Sequence, residues 1–266
     1  MKPYAQRLRE LVAIRKGICV GIDPHPALLD RWGLAANSQG LEAFSRGVVE
    51  VLGSHVAVFK PQSAFFECFG SAGIAALERV LQDISGAGAL SILDVKRGDI
   101  GSTMRAYAAA YLSDDSPLSA DAITLSPFLG YESLAPAFEK AYANGRGIYV
   151  LARTSNPEGE AIQLAHKGLY SVAQGIVDGA AKTNSQYRQD VVGLVIGATI
   201  PDLQLDLSFF GGSILAPGIG AQGGKISNLP DTFGAAFGQV LPMVGRSVLA
   251  AGPDRDKLVG SLSAIC

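Results

Sequence analysis

Apolar runs rich in β-branched residues recur along the chain, at 17–23, 56–61, 90–96, 122–126, 147–153, 191–198, 213–217 and 243–249. They are continuous rather than alternating, which suits parallel strands covered on both faces. The segments between them carry helical spacing. Leu41, Phe44, Val48 and Leu52 make one apolar stripe, and Ile74, Leu77, Leu81 and Ile84 make another. Eight strand-then-helix repeats predict an α/β fold, a closed (β/α)8 barrel of the TIM type. An open doubly wound sheet shares this periodicity, but the count of eight favours closure. No shift in composition marks a boundary, so 1–266 reads as one barrel domain, with an amphipathic helix at about 3–15 in front of it. The longest connection, 156–190, predicts extra helix, and its polar stretch 182–190 reads as the lead into the sixth strand. The shortest, 201–212, predicts one turn or a short helix.

The third run meets charges at its end, in Ser91-Ile-Leu-Asp-Val-Lys-Arg-Gly-Asp-Ile-Gly-Ser-Thr103. Residues two apart in a strand share a face, so Asp94 and Lys96 project together. Charges sit at the edge of a core when paired or used. A structural ion pair and a catalytic pair both fit this fragment. In a barrel, active sites gather at the carboxyl ends of the strands. Here those ends carry Asp23, Lys60, Asp94-x-Lys96, Arg153-Thr-Ser-Asn156 and, on the eighth, Arg246. Four ionisable groups on the first three strands would meet over one mouth.

Gly218-Ile-Gly-Ala-Gln-Gly223 matches G-x-G-x-x-G. A dinucleotide site would place this after the first strand, with an acidic residue on the next. Here it follows the seventh strand, and the next strand offers Arg246. Barrels hold phosphate groups between these two loops, where backbone N–H groups approach the oxygens and an arginine grips two of them. Gly218, Gly220, Gln222, Gly223 and Arg246 are therefore assigned to a monophosphate. The bland alternative is a flexible surface loop with an unrelated arginine.

Composition narrows the classes. Net charge is −2, and no basic run exists to suggest a nucleic-acid surface. Cys19, Cys68 and Cys266, with His25, His55 and His166, show neither a disulfide framework nor metal-ligand spacing. The N-terminus is too charged for a signal peptide and no apolar run reaches membrane length, so a cytoplasmic protein away from membranes is expected.

Taken together, Asp94-x-Lys96-x-x-Asp99-Ile-Gly-x-Thr103, Asp23, Lys60, Gly218-x-Gly-Ala-Gln222-Gly-Gly and Val244-Gly-Arg246-Ser resemble the orotidine 5′-phosphate decarboxylases, most closely their longer bacterial type 2 branch. The match runs from the first strand to the eighth. The D-x-K-x-x-D element alone is shared with related sugar-phosphate barrels. The resemblance implies decarboxylation of orotidine monophosphate to uridine monophosphate in pyrimidine biosynthesis, with no metal or organic cofactor. It implies an alternating charge array of Lys60, Asp94, Lys96 and Asp99. Asp99, Ile100 and Thr103 would reach into the neighbouring subunit's site, making a homodimer. Asp23 and Lys60 would hold the ribose hydroxyls, Ser155 the pyrimidine, and Gln222 and Arg246 the phosphate. Ser126 stands where the resemblance leads one to expect asparagine.

The chemistry is consistent with these residue types. Loss of carbon dioxide from C6 leaves an electron pair without a conjugated sink. An ammonium at that point stabilises the carbanion and then protonates it. Lys96 fits, with Asp94 and the neighbour's Asp99 keeping it charged against the opposite pull of burial. Phosphate binding would close the 218–225 loop and orient the ring. A magnesium-dependent keto-gulonate-phosphate decarboxylase would want a carboxylate on the second strand, where this chain has Lys60. A Schiff-base aldolase would want a lysine that deprotonates readily, and flanking carboxylates oppose that. A nucleotide-binding relative without catalysis is the reading from another class.

Overall fold

The continuous apolar runs become eight parallel strands. In the computed structural model, which describes residues 2–265, they are β1 (Lys16–Ile22), β2 (Val56–Pro61), β3 (Leu90–Arg97), β4 (Ala122–Leu125), β5 (Gly147–Arg153), β6 (Val192–Ile196), β7 (Ile214–Pro217) and β8 (Val240–Val244). They close in the order β1-β8-β7-β6-β5-β4-β3-β2. Cys266 lies outside the described residues.

Alternation along each strand sends one set of side chains inward and the other toward the helices. Cys19, Val58, Ile92, Ala122, Tyr149, Val195, Leu215 and Leu241, one from each strand, pack into a single interior cluster. Burial there pushes the Cys19 thiol up to about 12, so it is a small apolar filler rather than a nucleophile. The other faces meet the helical stripes. Leu41, Phe44, Val48 and Leu52 of the helix Ser38–Leu52 are fully buried, each contributing about 1.5–3 kcal/mol through lost contact with water. That helix starts where it does because the Asn37 side chain accepts from the Gly40 N–H at 2.9 Å.

The amphipathic N-terminal segment forms the helix Tyr4–Ile14 and covers the amino end of the barrel. Tyr4 and Leu8 join the interior cluster. The Tyr4 and Tyr149 hydroxyls lie 3.1 Å apart, and Tyr149 donates to Ser213 Oγ at 2.9 Å. Arg7 pairs with Asp121, whose second oxygen accepts from Ser91 N at 2.9 Å and Ser91 Oγ at 3.2 Å. One end of the barrel is thus closed by packing, which leaves the carboxyl ends of the strands as the open mouth. Among the described residues no helix is long and apolar enough to cross a membrane.

Two expectations need correcting. The last strand is 240–244, not 243–249: Gly245, at φ −155° and ψ −101°, ends it, and Arg246–Leu249 coil into a short helix. Arg246 therefore opens a helix instead of sitting in a strand. The stretch 182–190 is not all connection, because the helix Val172–Tyr187 runs through its first six positions. Two of its polar residues, Thr183 and Asn184, are buried. The Asn184 amide bonds both the N–H and the carbonyl of Val192, each at 2.8 Å, and Arg188 stops the helix in the left-handed region at φ 51°. The 201–212 segment takes the first of its two expected forms, a turn at 208–209, and holds no helix. Asp202 and Asp206 instead accept from the backbone of Gln204 and Ser208, local turns that compete with helix. The expected extra helix after β5 is present as Glu160–Gln163, followed by a small hairpin of His166–Lys167 with Tyr170–Ser171.

Asp121→Ala should lower unfolding stability by about 2 kcal/mol, since it takes the carboxylate from Arg7 and leaves the Ser91 N–H without its acceptor. Urea denaturation measures this, and an unshifted midpoint would show that the N-terminal helix docks without that carboxylate.

Candidate active site

β1, β2 and β3 are neighbours, so the charges at their carboxyl ends share one side of the mouth. Lys60, 4% exposed at the end of β2, donates from Nζ to Asp94 Oδ2 at 2.5 Å. Lys96 donates from Nζ to Asp94 Oδ1 at 2.7 Å. Asp94 is 7% exposed, whereas the Lys96 side chain keeps 45% of its surface. One lysine is an interior counter-ion and the other is a cation at the rim.

Burial favours the neutral form of Asp94, but the Lys60 and Lys96 ammoniums outweigh it and hold the carboxyl well below its ordinary range. For Lys60 burial pulls downward, and the Asp94 and Asp23 carboxylates more than reverse it, so its ammonium is held above its ordinary value. Asp23 follows β1, and its Oδ1 is buried with no hydrogen-bond partner among the described residues. Such an atom is open to a donor such as a ligand hydroxyl. Asp23, Lys60, Asp94 and Lys96 thus form a row of alternating sign.

Two residues that the sequence left unnoticed complete the setting of Asp94. Thr124 Oγ1 donates to Asp94 Oδ1 at 2.8 Å and accepts from the Lys96 backbone N–H at 3.0 Å. Gln62, with its amide nitrogen turned to the acceptors it faces, donates to Asp94 Oδ2 at 2.7 Å and to the Asp94 carbonyl at 3.2 Å. The available signal was spacing: Gln62 stands two residues after Lys60, and Thr124 is the polar residue inside an otherwise apolar strand. Ser126, past the end of β4, donates its backbone N–H to the Arg97 carbonyl at 2.8 Å, which fastens β4 to the turn that ends β3.

Opposite this row lies the glycine loop. Gly218, Gly220 and Gly223 have φ of 117°, 77° and 86°, the left-handed region that favours glycine. The loop is bonded to itself, with Gly220 N to Gly224 O at 2.8 Å and Gly224 N to Gly218 O at 3.1 Å. Ser155, beyond β5, donates from Oγ to Gln222 Oε1 at 3.2 Å, bridging two loops across the mouth. Gly220 packs against Ser247, the neighbour of Arg246. The exposed Arg246 guanidinium has no side-chain partner among the described residues. Glycine loop and free arginine therefore sit side by side, as anion binding requires.

Not every expected residue converges. Asp99 accepts from the Ile100 N–H at 2.7 Å and makes no ion pair with Lys96 of its own chain. Ile100 is 60% exposed, and Thr103 is exposed on the first turn of the helix Gly101–Leu112. Arg153, buried at the end of β5, is taken up by Glu160 at 2.8 Å. Among the described residues no three His, Cys, Asp or Glu side chains gather as metal ligands. A groove of about 940 Å³ between the helices Ser38–Leu52 and Gly70–Gly86 contains none of the mouth residues.

Fold and mouth define a class: parallel barrels that set alternating charges against a glycine loop at the open end. A family model described as orotidine 5′-phosphate decarboxylase / HUMPS family matches residues 16–258. The orotidine 5′-phosphate decarboxylase of Salinispora arenicola (strain CNS-205) is 54% identical, covering 96% of this chain and 92% of that one. That of Streptomyces coelicolor is 51% identical over the same shares. A crystal structure from Streptomyces avermitilis superposes with a TM-score of 0.95 at 51% identity, over all of this chain and 94% of that one. The Leishmania donovani OMP decarboxylase gives 0.79 at 28% identity, over 99% and 97%. The chain belongs to the orotidine 5′-phosphate decarboxylase / HUMPS family.

The Asp94 pairing has a pH signature. A carboxyl held below its ordinary value of 3.8 adds stability that is present above that value and lost as pH falls toward its lower folded one. Asp94→Asn should therefore cost about 3 kcal/mol near neutrality, because it removes the carboxylate hydrogen-bonded to the buried Lys60. The deficit should shrink when urea midpoints are compared below about pH 4. A pH-independent deficit would mean that the pairing is not what Asp94 contributes.

Proposed function

We propose that the chain converts orotidine 5′-phosphate to uridine 5′-phosphate and carbon dioxide in pyrimidine biosynthesis, using side chains alone. The observation that carries this reading is Lys96: its ammonium lies at the rim, 2.7 Å from a buried, ionised Asp94. The C6–carboxylate bond breaks and its electron pair stays on C6. The Lys96 ammonium stabilises that pair and gives it a proton, which solvent later replaces. Asp94 lies next to the departing carboxylate and keeps Lys96 aimed.

The remaining roles are assigned on the same reading. Asp23, with its unpartnered Oδ1, and Lys60 take the ribose hydroxyls. Ser155 takes the pyrimidine. Gly218, Gly220, Gly223, Gln222 and Arg246 take the phosphate, whose binding energy holds the loops over the mouth. The catalytic set is Lys60, Asp94, Lys96 and Asp99, the last supplied by a partner subunit in a homodimer. Supporting a shared site, Asp99, Ile100 and Thr103 stand together at the rim, unused by their own Lys96. Exposed Phe128 and Leu129 extend an apolar surface on the next loop. The expected compartment is the cytoplasm.

The absorbance of orotidine monophosphate should fall when protein is added in the presence of a chelator. A requirement for divalent metal would favour the keto-gulonate-phosphate type of chemistry instead. Lys96→Ala should lose at least about 10³-fold in turnover while keeping its fold by circular dichroism, since it removes both the electrostatic and the acid role. Near-normal turnover would remove Lys96 from the reaction. Mixing Lys96→Ala with Asp99→Ala should restore activity, because half of the sites in mixed dimers are intact. No recovery after verified subunit exchange would refute sharing.

A further inference from the structure

We propose that Thr124 is a positioning residue for Lys96: one hydroxyl fixes both the backbone turn that aims this lysine and the carboxylate that receives its head. The inference rests on the decarboxylase reading for its kinetic readout.

Lys96 has φ of 44°, a left-handed conformation that residues with a Cβ seldom adopt. It occurs where β3 slips its register against β4, between Leu93 and Arg97. Irregularities of this kind re-aim a side chain next to an active site, and strained backbone persists only where its surroundings hold it. The Lys96 N–H is received there by a side chain, Thr124 Oγ1 at 3.0 Å. Thr124 is 1% exposed, so its hydroxyl is committed to protein partners.

The direction of the second bond follows. An ionised carboxylate only accepts, and a hydroxyl has a single proton. Having accepted from Lys96 N–H, Thr124 sends that proton to Asp94 Oδ1 at 2.8 Å. The same Oδ1 accepts the Lys96 ammonium at 2.7 Å. A closed ring results, from the Lys96 backbone through the Thr124 hydroxyl to Asp94 and back through the Lys96 head. The ring couples the lysine's backbone conformation to the position of its charge. A threonine methyl packs in an apolar strand as well as a valine does, so the hydroxyl is the only part that the ring requires.

The test compares Thr124→Val with Thr124→Ser in the full chain. Valine keeps the shape and removes the hydroxyl. Its kcat for orotidine monophosphate should fall about tenfold or more, because displacing a reacting group by about 1 Å carries losses of that order or larger. KM should change less than about threefold, since the ribose and phosphate contacts are elsewhere. Serine should restore most of kcat. A purely structural role would lower the melting temperature and leave the kcat of folded enzyme intact. A crystal structure of Thr124→Val gives a readout independent of turnover: Lys96 should leave the left-handed region, or its Nζ should part from Asp94. Wild-type kcat in the valine variant, or Lys96 unmoved in that crystal, overturns the proposal. If wild type itself fails to turn over, the decarboxylase reading falls and the crystal alone decides Thr124. Should valine prevent folding, Thr124→Ala against Thr124→Ser decides: equal kcat overturns the proposal, and a tenfold deficit in alanine supports it.

Discussion

The rest of the mouth depends on a single buried carboxylate. Asp94 accepts from the side chains of Lys60, Lys96, Thr124 and Gln62. A carboxylate this far from water persists in charged form only with such partners. The two lysines divide the task. Lys60 is buried and offsets the cost of burying Asp94, and Lys96 is left half exposed, its charge available to whatever enters. Had both lysines been buried, the row would be a structural ion network with nothing to offer a substrate.

The barrel makes this arrangement possible by separating its two ends. The amino end is filled by Tyr4, Leu8 and the Arg7–Asp121 pair, and the middle by side chains drawn from every strand. Polar groups that break the strand pattern are then concentrated where β1, β2 and β3 finish. Across the opening, the Ser155–Gln222 bond and the Gly220–Ser247 contact bring the loops after β5, β7 and β8 into one rim. On the proposed reaction, the anion grip and the charge row act on opposite ends of one molecule, so binding at one end orients chemistry at the other.

Much of this was legible before any coordinates. Strands covered on both faces read as unbroken apolar runs, so the first seven stood out in place, and Lys60, Asp94 and Lys96 stood out as charges interrupting them. The last strand was misplaced because the Ser247-Val-Leu-Ala250 run looks equally apolar as helix or strand, while Pro242 disguised the true one. Helix continued through Thr183 and Asn184 because their polar groups are satisfied inside, and composition alone does not show that. Thr124 and Gln62 were hidden for a different reason. Their partners are set by the register slip in β3 and by how neighbouring strands align, facts of three-dimensional pairing that no local pattern records. Asp99, Ile100 and Thr103 were readable only through the motif, since among the described residues they join no network with the charges at the mouth.

The most direct measurement is a crystal structure with a non-reactive uridine monophosphate analogue bearing an anionic group at C6. The account predicts the Lys96 Nζ within hydrogen-bonding distance of both that group and Asp94, with Lys60 still buried behind them. A Lys96 head turned to solvent, or seated away from C6 with the analogue fully bound, would contradict it.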